Sequence, residues 1–155
     1  SSTYKAIQEL QMYMEYFPGT ERHEIAQNMI FELQDKLVEK EYLSAKLYYD
    51  LGSYTGNSSM TSSGNNYLAA VVTAQNILKE YPYTKLREDL SILILRAKYD
   101  MARESVLEKK EDRMRETIDE YYAFKNEFPE SKYTKEVENI FKEASKFVGS
   151  VEEEY

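Results

Sequence analysis

Between residues 42 and 84, small and large side chains alternate in an order that few folds accommodate. YLSAKLYYDLGSY is followed, after a polar interruption, by YLAAVVTAQNILKEYPYT. With the interruption set aside, Ala45, Tyr48, Tyr49, Gly52 and Tyr54 precede Ala70, Ala74, Ile77 and Pro82. Alanines let two helix backbones approach closely, and interiors tolerate no gaps, so tyrosine rings fill the space beside them. Gly52 stops the first helix as a residue just past its end, and Pro82 stops the second. The stretch therefore reads as two antiparallel helices with a glycine turn.

The exits of three helices repeat. Residues 16–20 are YFPGT, 80–84 are EYPYT and 127–131 are EFPES. Each is an aromatic, a proline, any residue, then a hydroxyl that can cap the next helix. The prolines at 18, 82 and 129 stand 64 and 47 residues apart, against about 34 in a standard tetratricopeptide (TPR) unit. An insertion and lengthened first helices account for the excess. The expected fold is all-α, a TPR-like α-α superhelix of about six helices in antiparallel hairpins.

Residues 1–17 read as a helix, with Ala6, Leu10, Tyr13 and Phe17 on one stripe and Ile7 and Met14 beside them. In repeat terms it is a second helix whose own first helix is absent, which is the expectation for a chain cut from a longer protein. Thr20 is the expected cap of a helix of roughly 30 residues over 21–51. Its apolar face is Ala26, Ile30, Leu33, Leu37, Ala45 and Tyr48, and it is interrupted near Lys40-Glu41, where a bend is expected. Residues 55–66 are low in complexity and uncharged, and they read as a flexible insertion at the turn; the alternative is a partner-contacting loop. A second helix follows over 67–81. Residues 85–103 are apolar around most of the circumference, as for a helix sandwiched between neighbours. The charged run 105–112 is the expected turn before a helix over 113–128. The last helix is capped by Ser131 or Thr134, buries Tyr133, Val137, Ile140, Ala144 and Phe147, and is ended by Gly149. The reading is one helical domain over 1–149 with an acidic tail over 150–155.

Composition narrows the function. The formal charge is −8, with 28 acidic and 20 basic residues and no basic stripe. Nucleic acid is therefore excluded as the expected partner, because phosphate neutralisation dominates that binding. A basic face on anionic lipid is disfavoured likewise. With no cysteine there is no disulfide, thiolate zinc site or cysteine nucleophile. No apolar run reaches the roughly 20 residues that span a bilayer. The start shows no signal-peptide pattern, which fits a cytosolic chain or one whose targeting segment has been removed.

Catalytic chemistry finds little footing. His23, the single histidine, lies near a helix start beside Glu21 and Glu24; a surface position is expected ahead of a base or metal ligand. The acids at Glu116, Asp119 and Glu120 and at 152–154 read as solvated faces. No zinc-protease, calcium-loop, phosphate-loop or nucleophile-elbow pattern occurs. The expectation is a non-enzyme without cofactor or metal. Of the pairs Tyr48-Tyr49 and Tyr121-Tyr122, one ring of each is expected in the core and the other at a groove edge.

The run DKLVEKEYLSAKLYYDLGSY with YLAAVVTAQNILKEYPYT resembles the BamD family, TPR lipoproteins of the outer-membrane β-barrel assembly machinery. The matching residues are Asp35, Leu37, Glu41, Tyr42, Ala45, Tyr48, Tyr49, Gly52, Ala69, Ala70, Glu80, Tyr81, Pro82 and Thr84. The resemblance covers about residues 5–133 and corresponds to the family's C-terminal half. It implies a periplasmic location at the outer membrane, through a lipid anchor absent from this chain. It also implies docking to a periplasmic domain of the barrel subunit, BamA, with other assembly lipoproteins as further partners. The insertion over 55–66 and the charged run over 108–112 depart from the family pattern. Thr73 and Gln75 stand where relatives carry basic contacts, so the docking surface is inferred from position. It comprises Tyr54 and Tyr67 beside the glycine turn and the strip Asp89, Arg96, Asp100 and Arg103. Charge reversal at Arg96 is expected to weaken docking without unfolding the chain. The competing reading is a generic TPR adaptor that binds peptides or partner domains in its concave groove.

Overall fold

The computed structural model describes residues 1–19, 21–52 and 62–154, with the side chains of all but 62–65. Among the described residues the chain is all-helical. Six helices follow in order: α1 (Ser2–Tyr16), α2 (Glu21–Leu51), α3 (Ser62–Glu80), α4 (Arg87–Arg103), α5 (Leu107–Glu127) and α6 (Thr134–Glu153). Each helix packs on the next, and α2 also meets α4. Residue numbers fix the directions. Gly52 meets Tyr67 at one end of α2–α3, while Asp35 meets Thr84 at the other, so the pair is antiparallel. Arg113 bonds Ser105 and Lys98 bonds Glu120, so α4 and α5 are antiparallel. Across α4 and α6 the numbers rise together, Asp89 with Tyr133 and Arg96 with Glu136, so those two run parallel. Helices α2, α4 and α6 thus lie side by side, with α3 and α5 on α4's other flank.

Apolar spacing explains the packing. Helix α4 buries Leu90, Ile92, Leu93, Ile94, Leu95, Ala97, Met101 and Ala102, as a helix enclosed on most sides must. Leu90, Leu93, Ile94 and Ala97 join Val38, Ala45, Ala70, Ala74 and Ile77 in one cluster. Ile92 and Leu95 face the other way, onto Tyr121, Phe124, Val137 and Ile140. A third cluster, Ala102, Met114, Ala144 and Val148, closes the far end of α4. The core is a chain of clusters threaded through α4.

Two corners share one geometry. Tyr81 and Phe128 each donate their backbone N–H four residues back, to Ile77 and Phe124, as each helix ends. Two residues past each proline a hydroxyl takes over. Thr84 accepts the Leu86 N–H at 3.3 Å and donates to Asp35 at 2.9 Å; Ser131 accepts the Tyr133 N–H at 3.0 Å and donates to Glu88 at 2.5 Å. The first corner shares the helix-end geometry, with Phe17 at φ −129° against −124° at Phe128, and Gly19 takes the left-handed φ of +76°. The expected cap at Thr20 lies outside the described residues.

Several boundaries differ from the sequence expectation. Helix α3 begins at Ser62, so part of the 55–66 insertion is helical. The turn takes only the start of the run 105–112: α5 begins at Leu107 after an extended Val106. Its charges support the helix instead, Arg115 holding Glu111 one turn away and Lys110 lying over the Phe147 ring. Gly149 does not end α6, which runs to Glu153 with Val148 buried beneath it. A glycine inside a helix costs about 1 kcal/mol, a cost that the buried Val148 and the apolar face before it offset. Helix α2 is continuous through Lys40 and Glu41. Its buried face is Ala26, Ile30, Val38 and Ala45; Tyr48 is exposed, and Tyr49 turns in instead.

Gly52 stops α2, but not through a left-handed φ, which among the described residues Gly19 alone has. A Cβ built on Gly52 would sit 2.1 Å from the Tyr67 ring. Gly52→Ala is therefore expected to destabilise the chain by about 1–3 kcal/mol, read as a lower urea midpoint. Shortening Tyr67 to leucine in the same chain should recover part of the loss.

Candidate functional site

The strip expected on α4 becomes a polar seam between three parallel helices. Asp89, near the start of α4, accepts a hydrogen bond from the Tyr133 hydroxyl at 2.9 Å. Two turns on, Arg96 donates to both carboxylate oxygens of Glu136 on α6, at 2.6 and 2.7 Å, and its guanidinium lies 5.1 Å from the Tyr133 ring centre. One turn further, Asp100 accepts from the Tyr49 hydroxyl of α2 at 2.5 Å and from Arg103 at 2.9 Å. Arg103 also lies over the Tyr99 ring. The spacing of 89, 96, 100 and 103 keeps these groups on one helix face, and that face is the groove between α2 and α6.

Accessibility separates the members of the seam. The side chain of Asp100 is 15% exposed and that of Arg96 31%, whereas Arg103 is 57% exposed. Arg96 is committed to holding α6 against α4; Arg103 is presented to solvent. Tyr67 is buried against Gly52 and donates its hydroxyl to Glu104 at 3.2 Å. Tyr54 lies outside the described residues. Asp89, Arg96, Asp100 and Arg103 therefore come together, while Tyr67 sits at the end of the groove. Residue spacing alone missed the lateral partners, Tyr49, Tyr133 and Glu136. The only sequence signal for them is the abundance of tyrosine and acid.

Burial raises the Tyr49 phenol well above its usual range, and the Asp100 carboxylate reinforces it. Tyr133 rises through burial and its bond to Asp89, and Tyr42 through burial and the nearby Asp89. On the α5–α6 side, burial and Glu138 push Tyr121 up to about 12. Glu138 is held below the usual carboxylate range by Lys125 and Tyr121. One ring of each tyrosine pair is packed, Tyr49 and Tyr121, and the other, Tyr48 and Tyr122, is exposed.

Two further surfaces flank the seam. Leu43, Leu47 and Leu51 are exposed at one-turn intervals along α2, opposite the face that carries Val38 and Ala45. At the turn between α3 and α4 a cleft of about 350 Å³ opens, walled by Phe31, Gln34 and Asp35 of α2 and by residues 80–84. His23 is half-buried on α2. Among the described residues, no group of three or more His, Asp or Glu side chains stands close enough to hold a metal ion. No described helix is long and apolar enough to cross a membrane.

Taken together, the geometry defines an all-helical protein of antiparallel helix pairs with a polar, tyrosine-edged seam along one layer. Compared with models of known protein families and with curated proteins, the chain matches none.

Two expectations follow. Arg96→Glu would face Glu136 with Asp89 and Asp100 close by, and should cost about 2 kcal/mol from lost charged hydrogen bonds, seen as a lower thermal midpoint. Raised phenols keep their protons longer in the folded state than in the unfolded one. Their stabilisation is complete below pH about 10 and is lost as pH rises toward 12 and beyond. Unfolding between pH 10 and 12 should therefore coincide with ionisation of these phenols, followed by the ultraviolet absorbance of phenolate.

Proposed function

We propose that the chain is a protein-docking scaffold, the C-terminal half of a BamD-like assembly lipoprotein with a TPR-like superhelix. Its partner is a periplasmic domain of the barrel subunit, BamA, at the periplasmic face of the outer membrane. The observation that carries this reading is the continuous seam across α2, α4 and α6, which ends in the exposed Arg103. Parallel helices in one layer offer an extended surface to another domain, as stacked-repeat proteins do.

The residues that resemble the family support it further, because they meet in one hairpin. Asp35 receives Thr84, Ala45 and Ala70 are fully enclosed, and Tyr49 reaches Asp100. The exposed leucines of α2 add apolar area that a docked domain would cover. Docking is the function class proposed, not catalysis, since the polar groups of the seam bond one another and leave no convergent reactive set.

The test is a pull-down of the barrel subunit's periplasmic domain by this chain and by Arg103→Glu. A rim charge governs encounter and salt dependence more than folding. The variant is expected to weaken capture by roughly tenfold at low salt, about 1.4 kcal/mol, while its thermal midpoint falls by less than that of Arg96→Glu, because Arg103 is the more exposed of the two. Failure of the parent chain to capture the domain overturns the proposal. Co-purification of a tagged full-length protein with other soluble partners, and without the barrel subunit, would favour the peptide-binding adaptor.

A further inference from the structure

The cleft beside the α3–α4 turn has a composition that the docking seam does not absorb. Three of its walls are aromatic, Phe31, Tyr81 and Tyr83, and two are acidic, Asp35 and Glu80; no lysine or arginine lines it. Two basic side chains that follow the turn are already engaged. Lys85 pairs with Glu39 at 3.2 Å, and Arg87 is held by Glu127 and the Pro82 carbonyl. Among the described residues, cations lie over Tyr42, Tyr99, Tyr133 and Phe147, and none over the three rings of the cleft.

Negative charge accumulates at this corner. Glu41 lies close enough that, after burial, repulsion from Glu80 raises its carboxyl. Asp35 accepts one hydrogen bond, from Thr84. Tyr83 projects into solvent, 89% exposed, at the mouth of the cleft. Aromatic faces attract cations, and a planar guanidinium can stack on a ring while its N–H groups reach a carboxylate.

Helix length explains why the cleft exists at this corner. Asp35 and Glu88 do the same job, each accepting the hydroxyl two residues past a proline. Helix α4 begins at Arg87, one residue before Glu88. Helix α2 begins at Glu21 and continues past the corner, so Phe31, one turn before Asp35, raises a wall there, whereas α4 has no turn before Glu88 and Arg87 stands in the place of Gln34.

We propose that this cleft binds a cationic side chain, arginine ahead of lysine, presented by an extended segment of a partner protein. The inference deepens the docking reading by naming the chemistry of a partner segment, and it is read without the barrel subunit. The probe is acetyl-Gly-Arg-Gly-amide, titrated into the ¹⁵N-labelled full chain at low salt, with the Lys and Glu tripeptides alongside. Saturable shifts are expected at the amides of 31–35 and of Glu80, Tyr81, Tyr83 and Thr84 with the arginine peptide, weaker shifts with lysine, and none with glutamate. Glu80→Gln and Tyr83→Ala should each weaken binding roughly tenfold with the thermal midpoint unchanged, since Tyr83 is already in solvent. No saturable shift at those amides, an equal response to the glutamate peptide, or full affinity in both variants overturns the proposal. Such a failure leaves domain capture and its Arg103→Glu dependence intact, whereas a failed pull-down leaves the titration unaffected.

Discussion

The close approach of α2 and α3 is the constraint from which the rest of the packing follows. Ala45, Ala70 and Ala74 have no exposed surface, and at Gly52 there is no room even for a methyl group. Helices that touch through such small residues have little freedom to slide, because the larger side chains on either side must then interlock. Tyr67 fills the space over Gly52 and carries its hydroxyl on to Glu104, just past the end of α4. At the other end Thr84 ties the start of α4 back to Asp35. Pinned at both ends against the α2–α3 pair, α4 can only present Asp89, Arg96 and Asp100 along the line where α6 arrives.

Tyrosine makes these lateral links possible. A phenol packs as an aromatic ring and still delivers a donor to the edge of the core. Tyr49, Tyr67, Tyr121 and Tyr133 each do so toward a carboxylate on another helix. Phenylalanine would pack as well but leave those acids without their donors. Part of the chain's acidity is thereby accounted for: Asp89, Asp100, Glu104 and Glu138 are acceptors for interhelical bonds, not merely solvated charge. Burial and carboxylate neighbours both favour the protonated phenol, so these links are strongest across the neutral range.

The two corners show how one local solution is reused with different surroundings. An aromatic, a proline and a hydroxyl two residues on end one helix and start the next in the same way at 81–84 and 128–131. The hydroxyl both receives a backbone N–H and donates to a carboxylate of an earlier helix, so a single side chain sets the turn and its docking. What differs is the helix that receives it. The long α2 overhangs its corner and the shorter α4 does not, and the overhang supplies one wall of an aromatic, acidic cleft.

Much of this was legible in the residues themselves. Apolar spacing marks the helices, and Pro18, Pro82 and Pro129 mark where they stop, because a missing donor and a fixed φ cannot continue a helix. The enclosed character of α4 follows from Leu90 to Ala97 in the same way. Charge proved a poor guide to turns: the run 105–112 is mostly helix, since Glu and Lys are good helix formers and pair one turn apart. Gly149 likewise stays helical because Val148 is packed beneath it. The polar strip on α4 could be read from one dimension. Three dimensions decided the role of each member, setting Arg96 into a clamp on Glu136, leaving Arg103 in solvent, and gathering Phe31, Asp35, Glu80 and Tyr83 around one cleft. The physical reason is that periodicity places a side chain on a face of its own helix. Which groups meet that face depends on register and helix length, and those are fixed only when distant helices pack.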